Sequence, residues 1–345
     1  MYWIVSPFSS KNNGISNYCL NAKDLLAAKG IEARILDNNE GLNVSSLEEK
    51  ILSTVSVNDT IEIPDAWGLF SKKKPINKVH ARLHAPSLYL QELNGSPLNK
   101  ARYQREVAAV KNADFVSSPS TANTEKYGLP ESLHIATFPN PVIFNGNVTS
   151  AEKDIDIIFI GRFDKVKGAD YLYNLLFLLP RDLHVSIVGI DSTEINKYQK
   201  ACAHLQITFH GWIDNTEKDR LLSRAKVCAV LSRFESFSLV CFESIIHRTH
   251  VVAWHVGGIP ECFPSHFVST VELGNVTGFA ATCVQYLSEN QHCALSAESF
   301  ITENNNKFVS GVRAFLNGST IENGIQTRRP THGLPRIIKQ IKTDT

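Results

Sequence analysis

The chain has 345 residues, of which 43% are hydrophobic, so it is large enough to bury the cores of two domains. Its formal net charge of +1 excludes a general electrostatic attraction to nucleic acid or to an acidic membrane. Seven cysteines without a Cys-x-x-Cys pair are typical of free thiols in a reducing cytosol. No charged leader is found, and no run reaches the roughly 18 apolar residues of a membrane-spanning helix. A cytoplasmic protein, at most peripheral to the membrane, is expected.

Residues 1–145 predict a first Rossmann-like domain, in which strands alternate with helices. Strands are expected at 2–6, 31–36, 60–64, 78–84 and 113–120, with helices at 17–29 and 99–112. The first loop contains Asn13-Gly14 but no G-x-G-x-x-G, so the dinucleotide fingerprint is absent. Two interpretations of Gly14 stay open, a residue that only makes the turn and one that contacts a ligand.

Two histidines lie near the end of a predicted central strand. On a strand, the spacing of His80 and His84 corresponds to about 13 Å of rise, which is too far for one metal ion. His84 ends the strand at the edge where parallel sheets place ligand-binding groups. It is predicted either to bind a ligand or to be a hydrogen-bonded packing residue.

A polar segment, 146–153, predicts a linker to a second Rossmann-like domain at 154–320. Strands are expected at 156–162, 183–189, 207–213, 227–231, 251–254 and 266–270, each followed by a helix. The last residues, 321–345, form a basic tail. This tail is predicted either to be solvated or to touch an anionic membrane through Arg328, Arg329, Arg336, Lys339 and Lys342.

Two cations of the second domain follow its first strand. Arg162 ends the strand and Lys167 precedes a helix, so both could bind a phosphate at the helix N-terminus, or could be solvated surface cations. The preceding Asp154-Ile-Asp156 resembles a Mn²⁺-binding D-x-D motif. It comes before the strand rather than after it, and we interpret it as a solvated strand start, so no metal is predicted.

Two carboxylates, Glu235 and Glu243, stand eight positions apart after the apolar strand at 227–231. Such a pair could be the acid and nucleophile of a glycosidase. Glu243, however, lies inside a predicted helix, which suits the binding of hydroxyl groups better than nucleophilic attack. No G-x-S-x-G, Walker A or H-E-x-x-H motif is found, so these hydrolase and NTPase classes lack support.

The second half resembles the retaining GT-B glycosyltransferases of family GT4. The resemblance covers about 155–262 and rests on I-G-R-F-D-K-V-K-G-A-D-Y-L, V-S-I-V-G, F-H-G-W-I, E-S-F-S-L-V-C-F-E-S and V-G-G-I-P-E. The first half is more loosely similar, through N-G-I-S-N-Y, A-D-F-V-S-S-P-S and P-N-P-V. The resemblance implies an α/β fold of the GT-B type, two Rossmann-like domains facing each other across a cleft. The first would bind the acceptor and the second the nucleotide sugar.

The resemblance also implies roles for individual residues. Arg162 and Lys167 would hold the donor diphosphate, Glu235 would lie at the sugar and Glu243 would bind the ribose hydroxyls. Gly14 would approach the diphosphate and His84 the sugar. Two further segments would bind the donor through their backbone. The first, near the sugar and phosphate, is Ser236, Phe237, Ser238 and Leu239. The second, beside the nucleobase, is Gly211, Trp212 and Ile213.

Several positions depart from the family pattern. Ser236 and Ser238 stand where glycine is frequent, and Arg248 and His250 replace a usual Gly and Pro at the end of the helix that carries Glu243. The opening loop has one glycine where two are common. The two carboxylates and the two cations are retained.

The predicted function is therefore a retaining, metal-independent glycosyltransferase of polysaccharide or glycolipid biosynthesis. It would use a UDP- or GDP-linked sugar, no cofactor, and a saccharide or lipid-linked acceptor, with no nucleic-acid partner. The alternative is a catalytically silent GT-B subunit of a glycan-assembly complex, which Arg248 and His250 would favour. A GT-B epimerase or phosphorylase is a third hypothesis.

Overall fold

A computed structural model describes residues 1–8, 13–143, 152–288 and 297–318. The chain divides into two compact units, one formed by Met1–Ile143 together with the chain from Phe300 onward, the other by Phe144–Ser299. Among the described residues, no helix is long and apolar enough to cross a membrane.

The first unit contains a six-stranded sheet with flanking helices. Its elements in chain order are β1 (Tyr2–Ser6), α1 (Gly14–Ala28), β2 (Ala33–Asp37), α2 (Val44–Thr54), β3 (Thr60–Pro64), a short 3-10 helix (Ala66–Gly68), β4 (Lys78–Arg82), α3 (Ser87–Asn94), α4 (Lys100–Asn112), β5 (Phe115–Ser118), α5 (Thr121–Thr124) and β6 (Ile135–Thr137). All strands are parallel, in the order β2-β1-β3-β4-β5-β6. The predicted strands are confirmed, whereas the short β6 was not predicted.

The second unit repeats this architecture. Its elements are β7 (Ile155–Ile160), α6 (Ala169–Leu178), β8 (His184–Val188), α7 (Ser192–Ala201), β9 (Gln206–His210), α8 (Asn215–Arg224), β10 (Ala225–Val230), α9 (Leu239–Ile246), β11 (His250–Trp254), α10 (Ile259–Cys262), β12 (Val268–Val271) and α11 (Val276–Ser288). Its parallel strands follow the order β12-β11-β10-β7-β8-β9. The α/β fold class expected from alternating strands and helices is confirmed.

The last described helix, α12 (Glu298–Leu316), differs from the expectation. The sequence placed it in the second domain, at 154–320, but from Phe300 it belongs to the first unit. Phe308 and Val312 are fully buried there with Phe138, and a Cβ on Gly311 would lie 2.5 Å from the Phe138 ring. The helix stays with the first unit because its apolar face completes that core.

The first boundary, predicted at 145, lies close to the observed division between Ile143 and Phe144. Most of the predicted linker, 146–151, lies outside the described residues, and so does the predicted basic tail, 321–345.

Candidate functional site

The candidate site begins where two adjacent strands of the second sheet end. β7 pairs with β10 in parallel, with Ile157 opposite Val227, although five elements separate them along the chain. The strand order changes direction at this point, because β8 lies on the other side of β7. The loops 161–168 and 231–238 therefore leave neighbouring strands at the same edge, which is where open α/β sheets bind ligands.

Close packing of backbone holds the two loops together. Gly168 has a φ of +79°, and a Cβ there would lie 2.0 Å from the carbonyl oxygen of Leu231. The Arg233 N–H donates to the Val166 carbonyl at 2.8 Å. Gly168 is required for its left-handed backbone and for this approach, so the last residues of the first loop lie directly on the second loop.

Lys167 and Glu235 form an ion pair between these loops. Lys167 Nζ lies 2.6 Å from Glu235 Oε1, and their side chains are 27% and 11% exposed. The Ser232 hydroxyl donates to the same carboxylate oxygen at 2.6 Å. The structure thus brings together two predicted site residues that stand 68 positions apart in the sequence.

Arg162 is less tightly held. Its Nε donates to Asp164 Oδ2 at 2.9 Å, and its side chain is 55% exposed. The other oxygen of Asp164 accepts from the Lys167 backbone N–H at 2.9 Å. One carboxylate therefore shapes the loop that carries both predicted phosphate-binding cations, a function that the sequence analysis missed.

The segment predicted to supply backbone N–H groups leads into helix α9. Ser238 is its N-cap and has a φ of +77°, an uncommon backbone conformation for a non-glycine residue. Its hydroxyl accepts from the Cys241 N–H at 3.4 Å. Phe237 is buried against Phe242 and Phe263, so its side chain belongs to the core and only its backbone is available for a ligand.

Glu243, on α9, pairs with a residue that the sequence analysis did not single out. Lys218 Nζ, on α8, lies 2.6 Å from Glu243 Oε1. Burial raises the pKa of Glu243, and the nearby Lys218 charge opposes this rise. No sequence signal identified Lys218, because it lies in another strand–helix repeat.

The segment predicted to flank a nucleobase connects β9 to α8. The Gly211 carbonyl accepts from the Gly189 N–H at 3.1 Å, which fixes the segment to the end of β8. Trp212 is 69% exposed and Ile213 is partly exposed. Asp214 then caps α8 by accepting from the Glu217 N–H at 2.8 Å.

The structure accommodates Arg248 and His250, the two residues after α9 that depart from the family pattern. Arg248 takes the left-handed φ of +55° that favours glycine. His250 is buried in β11, where its ring stacks on Tyr286 at 3.4 Å between centroids and its Nε2 lies 3.0 Å from Ser269 Oγ. Burial lowers the pKa of His250 to about 4, so the ring is neutral near pH 7.

The Asp154-Ile-Asp156 motif is engaged in structural ion pairs. Asp154 Oδ1 accepts from Arg224 Nε at 2.8 Å. Asp156 pairs with Lys226 Nζ at 2.7 Å and accepts from the His184 N–H at 2.9 Å. Both carboxylates have cationic partners, in agreement with the interpretation of this motif as a strand start.

In the first unit, Gly14 begins α1, directly after the N-cap Asn13. Its φ is not in the left-handed region, and a Cβ there would meet no atom of the described residues within 4 Å. Neither the turn nor local packing requires glycine at this position. Contact of Gly14 with a ligand stays a prediction.

His84 lies just beyond β4, and its ring contacts the Tyr18 ring edge-on at 5.0 Å. Its backbone N–H donates to Asp65 Oδ1 at 2.8 Å. Burial, together with the Arg82 charge, lowers the pKa of His84 to about 3, so the imidazole is neutral. His80, by contrast, is fully buried and bonded to Tyr2 and Ser117, as expected of a core histidine.

Asp65 is a buried carboxylate next to His84 that the sequence analysis missed. Tyr127 donates its hydroxyl to Asp65 Oδ2 at 2.6 Å. Burial, aided by the negative charge of Glu106, raises the pKa of Asp65 to about 7. A carboxyl group that gains or loses its proton near neutral pH therefore supports the backbone of a predicted site residue.

Comparison with known proteins finds a family match within the second unit. Residues 154–289 match the family described as Glycosyl transferases group 1. An uncharacterized 41.2 kDa protein in the cps region of Klebsiella pneumoniae is 33% identical over 117 residues, 34% of this chain and 32% of that protein. The D-inositol 3-phosphate glycosyltransferase of Mycolicibacterium gilvum is 34% identical over 112 residues, 30% of this chain and 25% of that enzyme. The matched segments thus span a third or less of these relatives' length.

Solved structures resemble the chain over most of its length. Sucrose-phosphate synthase from Thermosynechococcus elongatus superposes with a TM-score of 0.69 at 16% identity, over 92% of this chain and 99% of that chain. Anabaena HepE in complex with UDP gives 0.63 at 14% identity, over 92% and 98%. The fold is therefore that of the GT-B glycosyltransferases. Within it, residues 154–289 form a glycosyl transferases group 1 domain.

Proposed function

We propose that the protein is a retaining, metal-independent glycosyltransferase that moves a sugar from a UDP- or GDP-linked donor to a saccharide or lipid-linked glycan acceptor. The observation that carries the proposal is the Lys167–Glu235 pair at the strand switch point, 2.6 Å apart. It joins a cation suited to a diphosphate with a carboxylate suited to sugar hydroxyl groups. The family match over 154–289 and the UDP complex of HepE support the same chemistry.

The proposed mechanism follows from the charges. Cleavage of the bond between C1 of the sugar and the phosphate oxygen leaves its electron pair on that oxygen, so negative charge develops on the diphosphate. Lys167, Arg162 and the N–H groups that begin α9 would stabilise this charge. Each contact that strengthens in the transition state is worth about 2–4 kcal/mol of barrier.

The acceptor hydroxyl would attack C1 from the face that the diphosphate leaves. The departing phosphate oxygen would take the acceptor proton, so the anomeric configuration is retained and no protein nucleophile is needed. Glu235, positioned by Ser232 and by Lys167, would orient the sugar by accepting from its hydroxyl groups. Gly14 and His84 would serve the donor as predicted from the sequence, with neutral His84 acting as a hydrogen-bonding group.

The test is a panel of UDP- and GDP-linked sugars, assayed for donor hydrolysis and for transfer to saccharide acceptors. The Lys167→Ala variant is expected to keep its fold and to lose turnover by about 30-fold or more, from the magnitude of one such contact. Lys200→Ala, which removes an exposed lysine of α7, is the matched control. Full activity of Lys167→Ala would exclude the assigned diphosphate site.

Two further measurements test the finer parts of the proposal. NMR of the product should show the anomeric configuration of the donor, and EDTA should leave the rate unchanged. Inversion or strict Mn²⁺ dependence would contradict the mechanism. The alternative, a silent partner subunit, predicts that UDP or GDP protects the fold against heat while no sugar of the panel is hydrolysed or transferred.

A further inference from the structure

The ion pair between Lys218 and Glu243 links two helices from different strand–helix repeats. Nζ and Oε1 are 2.6 Å apart, and the side chains are only 13% and 18% exposed. Lys218 belongs to none of the motifs on which the family resemblance rests. A part-buried lysine paired with a predicted ribose-binding carboxylate calls for an explanation, because pairing two charges that are largely removed from water carries a desolvation penalty.

Lys218 also belongs to α8, the helix that directly follows the predicted nucleobase segment. Asp214 follows that segment directly and caps α8, accepting from the Glu217 N–H with its side chain and from the Lys218 N–H with its carbonyl at 3.0 Å. The ammonium group of Lys218 then reaches Glu243 on α9. One lysine therefore connects the backbone expected beside the base with the carboxylate expected at the ribose.

The pair engages only one of the two carboxylate oxygens. Within the part of the chain that the structure describes, Oε1 accepts from Lys218, whereas Oε2 has no hydrogen-bond partner. The other charged neighbours, Asp219 and His247, contact each other at 3.2 Å between Oδ1 and Nε2. Oε2 remains available to accept hydrogen bonds from a ligand.

We propose that Lys218 is a positioning residue that fixes Oε1 of Glu243, so that Oε2 accepts from the ribose hydroxyls and the site selects ribonucleotides over 2′-deoxyribonucleotides. The inference rests on the proposed function and extends it to a residue that determines specificity. A cation at Lys218 also favours the charged carboxylate, and a charged acceptor makes stronger hydrogen bonds than a neutral one.

The test compares the dissociation constants of UDP and 2′-deoxy-UDP, and of GDP and 2′-deoxy-GDP, by calorimetry. The unmodified protein is expected to prefer the ribonucleotide by about 10- to 100-fold, the value of a hydrogen bond to a charged group. Lys218→Met should reduce this ratio to about one, and Lys218→Arg should restore most of it. The matched control is Lys226→Met, which breaks the Asp156 ion pair and should keep the full ratio.

A second comparison covers the case in which Lys218→Met does not fold because it leaves a lone buried carboxylate. Lys218→Met/Glu243→Gln removes both charges and avoids that cost. Its ratio should equal that of Glu243→Gln, close to one, because Lys218 acts through Glu243.

The outcomes separate the two proposals. An unchanged ratio in Lys218→Met, or an equal loss of affinity for both nucleotides, overturns the role of Lys218 alone, since a merely structural lysine would behave in this way. A preference for the ribonucleotide that survives in the double variant overturns it as well. If the unmodified protein binds none of the four nucleotides, the proposed function itself fails, and this inference fails with it.

Discussion

The carbonyl group of Glu235 lies against the α-carbon of Gly257, whose φ is +54°. A Cβ at Gly257 would come within 2.1 Å of that oxygen, and the next residue, Gly258, donates its N–H to the same carbonyl at 2.8 Å. The two glycines of V-G-G-I-P-E therefore hold the backbone of the carboxylate proposed to orient the sugar. The close approach of the Glu235 carbonyl explains why glycine stands at position 257 in V-G-G-I-P-E.

Gly257→Ala is expected to lower the free energy of unfolding by about 2–5 kcal/mol, from left-handed strain together with overpacking. Binding of the UDP- or GDP-linked sugar should weaken as well, because Glu235, which is proposed to accept from the sugar hydroxyl groups, must move. Gly274→Ala is the matched control: its φ is +89°, but its nearest atom, the Tyr171 hydroxyl, would be 3.7 Å from the new Cβ. The control should lose about 1–2 kcal/mol of unfolding free energy and keep its affinity for the nucleotide sugar. Equal urea denaturation curves for the two variants would contradict the prediction.

Arg248 carries strain that glycine would relieve. Because its φ is +55°, Arg248→Gly is expected to raise the free energy of unfolding by about 1 kcal/mol. Arg248→Ala removes the same charge but keeps the Cβ, so it should give no such gain. Chemical denaturation of both variants is the measurement, and equal stabilisation would show that charge rather than backbone conformation is responsible.

His250 should make the protein less stable in mild acid. The folded state holds its pKa at about 4, below the roughly 6.5 of an unfolded chain, so the unfolded state takes up the proton first. Stability due to this group is complete above pH 6.5 and is lost as the pH falls to 4, by about 3 kcal/mol. His250→Gln should flatten the stability curve over this window. Parallel curves for the two proteins would exclude the effect.

Asp65 should make the protein less stable as the pH rises, which is the opposite of the effect of His250. Its pKa of about 7 in the folded state lies above the roughly 3.9 of an unfolded chain, so the unfolded state loses the proton first. Its contribution to stability is complete below pH 4 and declines as the pH rises to 7. Asp65→Asn, which cannot ionise, should be the less stable protein at pH 4.5 and the more stable one at pH 8. The first difference arises because the hydroxyl oxygen of the protonated carboxyl group can still accept a hydrogen bond, whereas the amide nitrogen cannot, so Asp65→Asn leaves one acceptor oxygen for the two donors Tyr127 and His84. Thermal unfolding across pH measures both.

Much of the fold was predictable because each strand and each helix has a residue pattern that can be recognised within its own short segment of sequence. The alternation of apolar strands with helices predicted both parallel sheets, and the positions of Arg162 and Lys167 after a strand predicted a phosphate-binding edge. The family resemblance added Glu235 at the sugar. The 2.6 Å contact between Lys167 and Glu235 followed from the strand order, which places β7 beside β10. What the family resemblance implies for the donor remains a prediction.

Three features could not be predicted, for one physical reason. The partner of Lys218, the burial of Asp65 and the sheet that receives α12 depend on which elements meet in space. A helix with buried Phe308 and Val312 shows an apolar face in its sequence, but that face would fit either core. The apolar periodicity of a sequence shows which face of a helix or strand is buried, but it does not show which other element packs against that face.

Because α12 belongs to the first unit although it follows the second unit in sequence, the order in which the two units fold during translation is affected. The apolar core around Phe138 and Tyr18 lacks Phe308 and Phe315 until the chain beyond the second unit has been made. Phe144–Ser299 is continuous in sequence and has all its residues earlier. On the ribosome, the second unit therefore completes its core before the first, and a fragment cut after Ile143 would expose the surface that α12 covers.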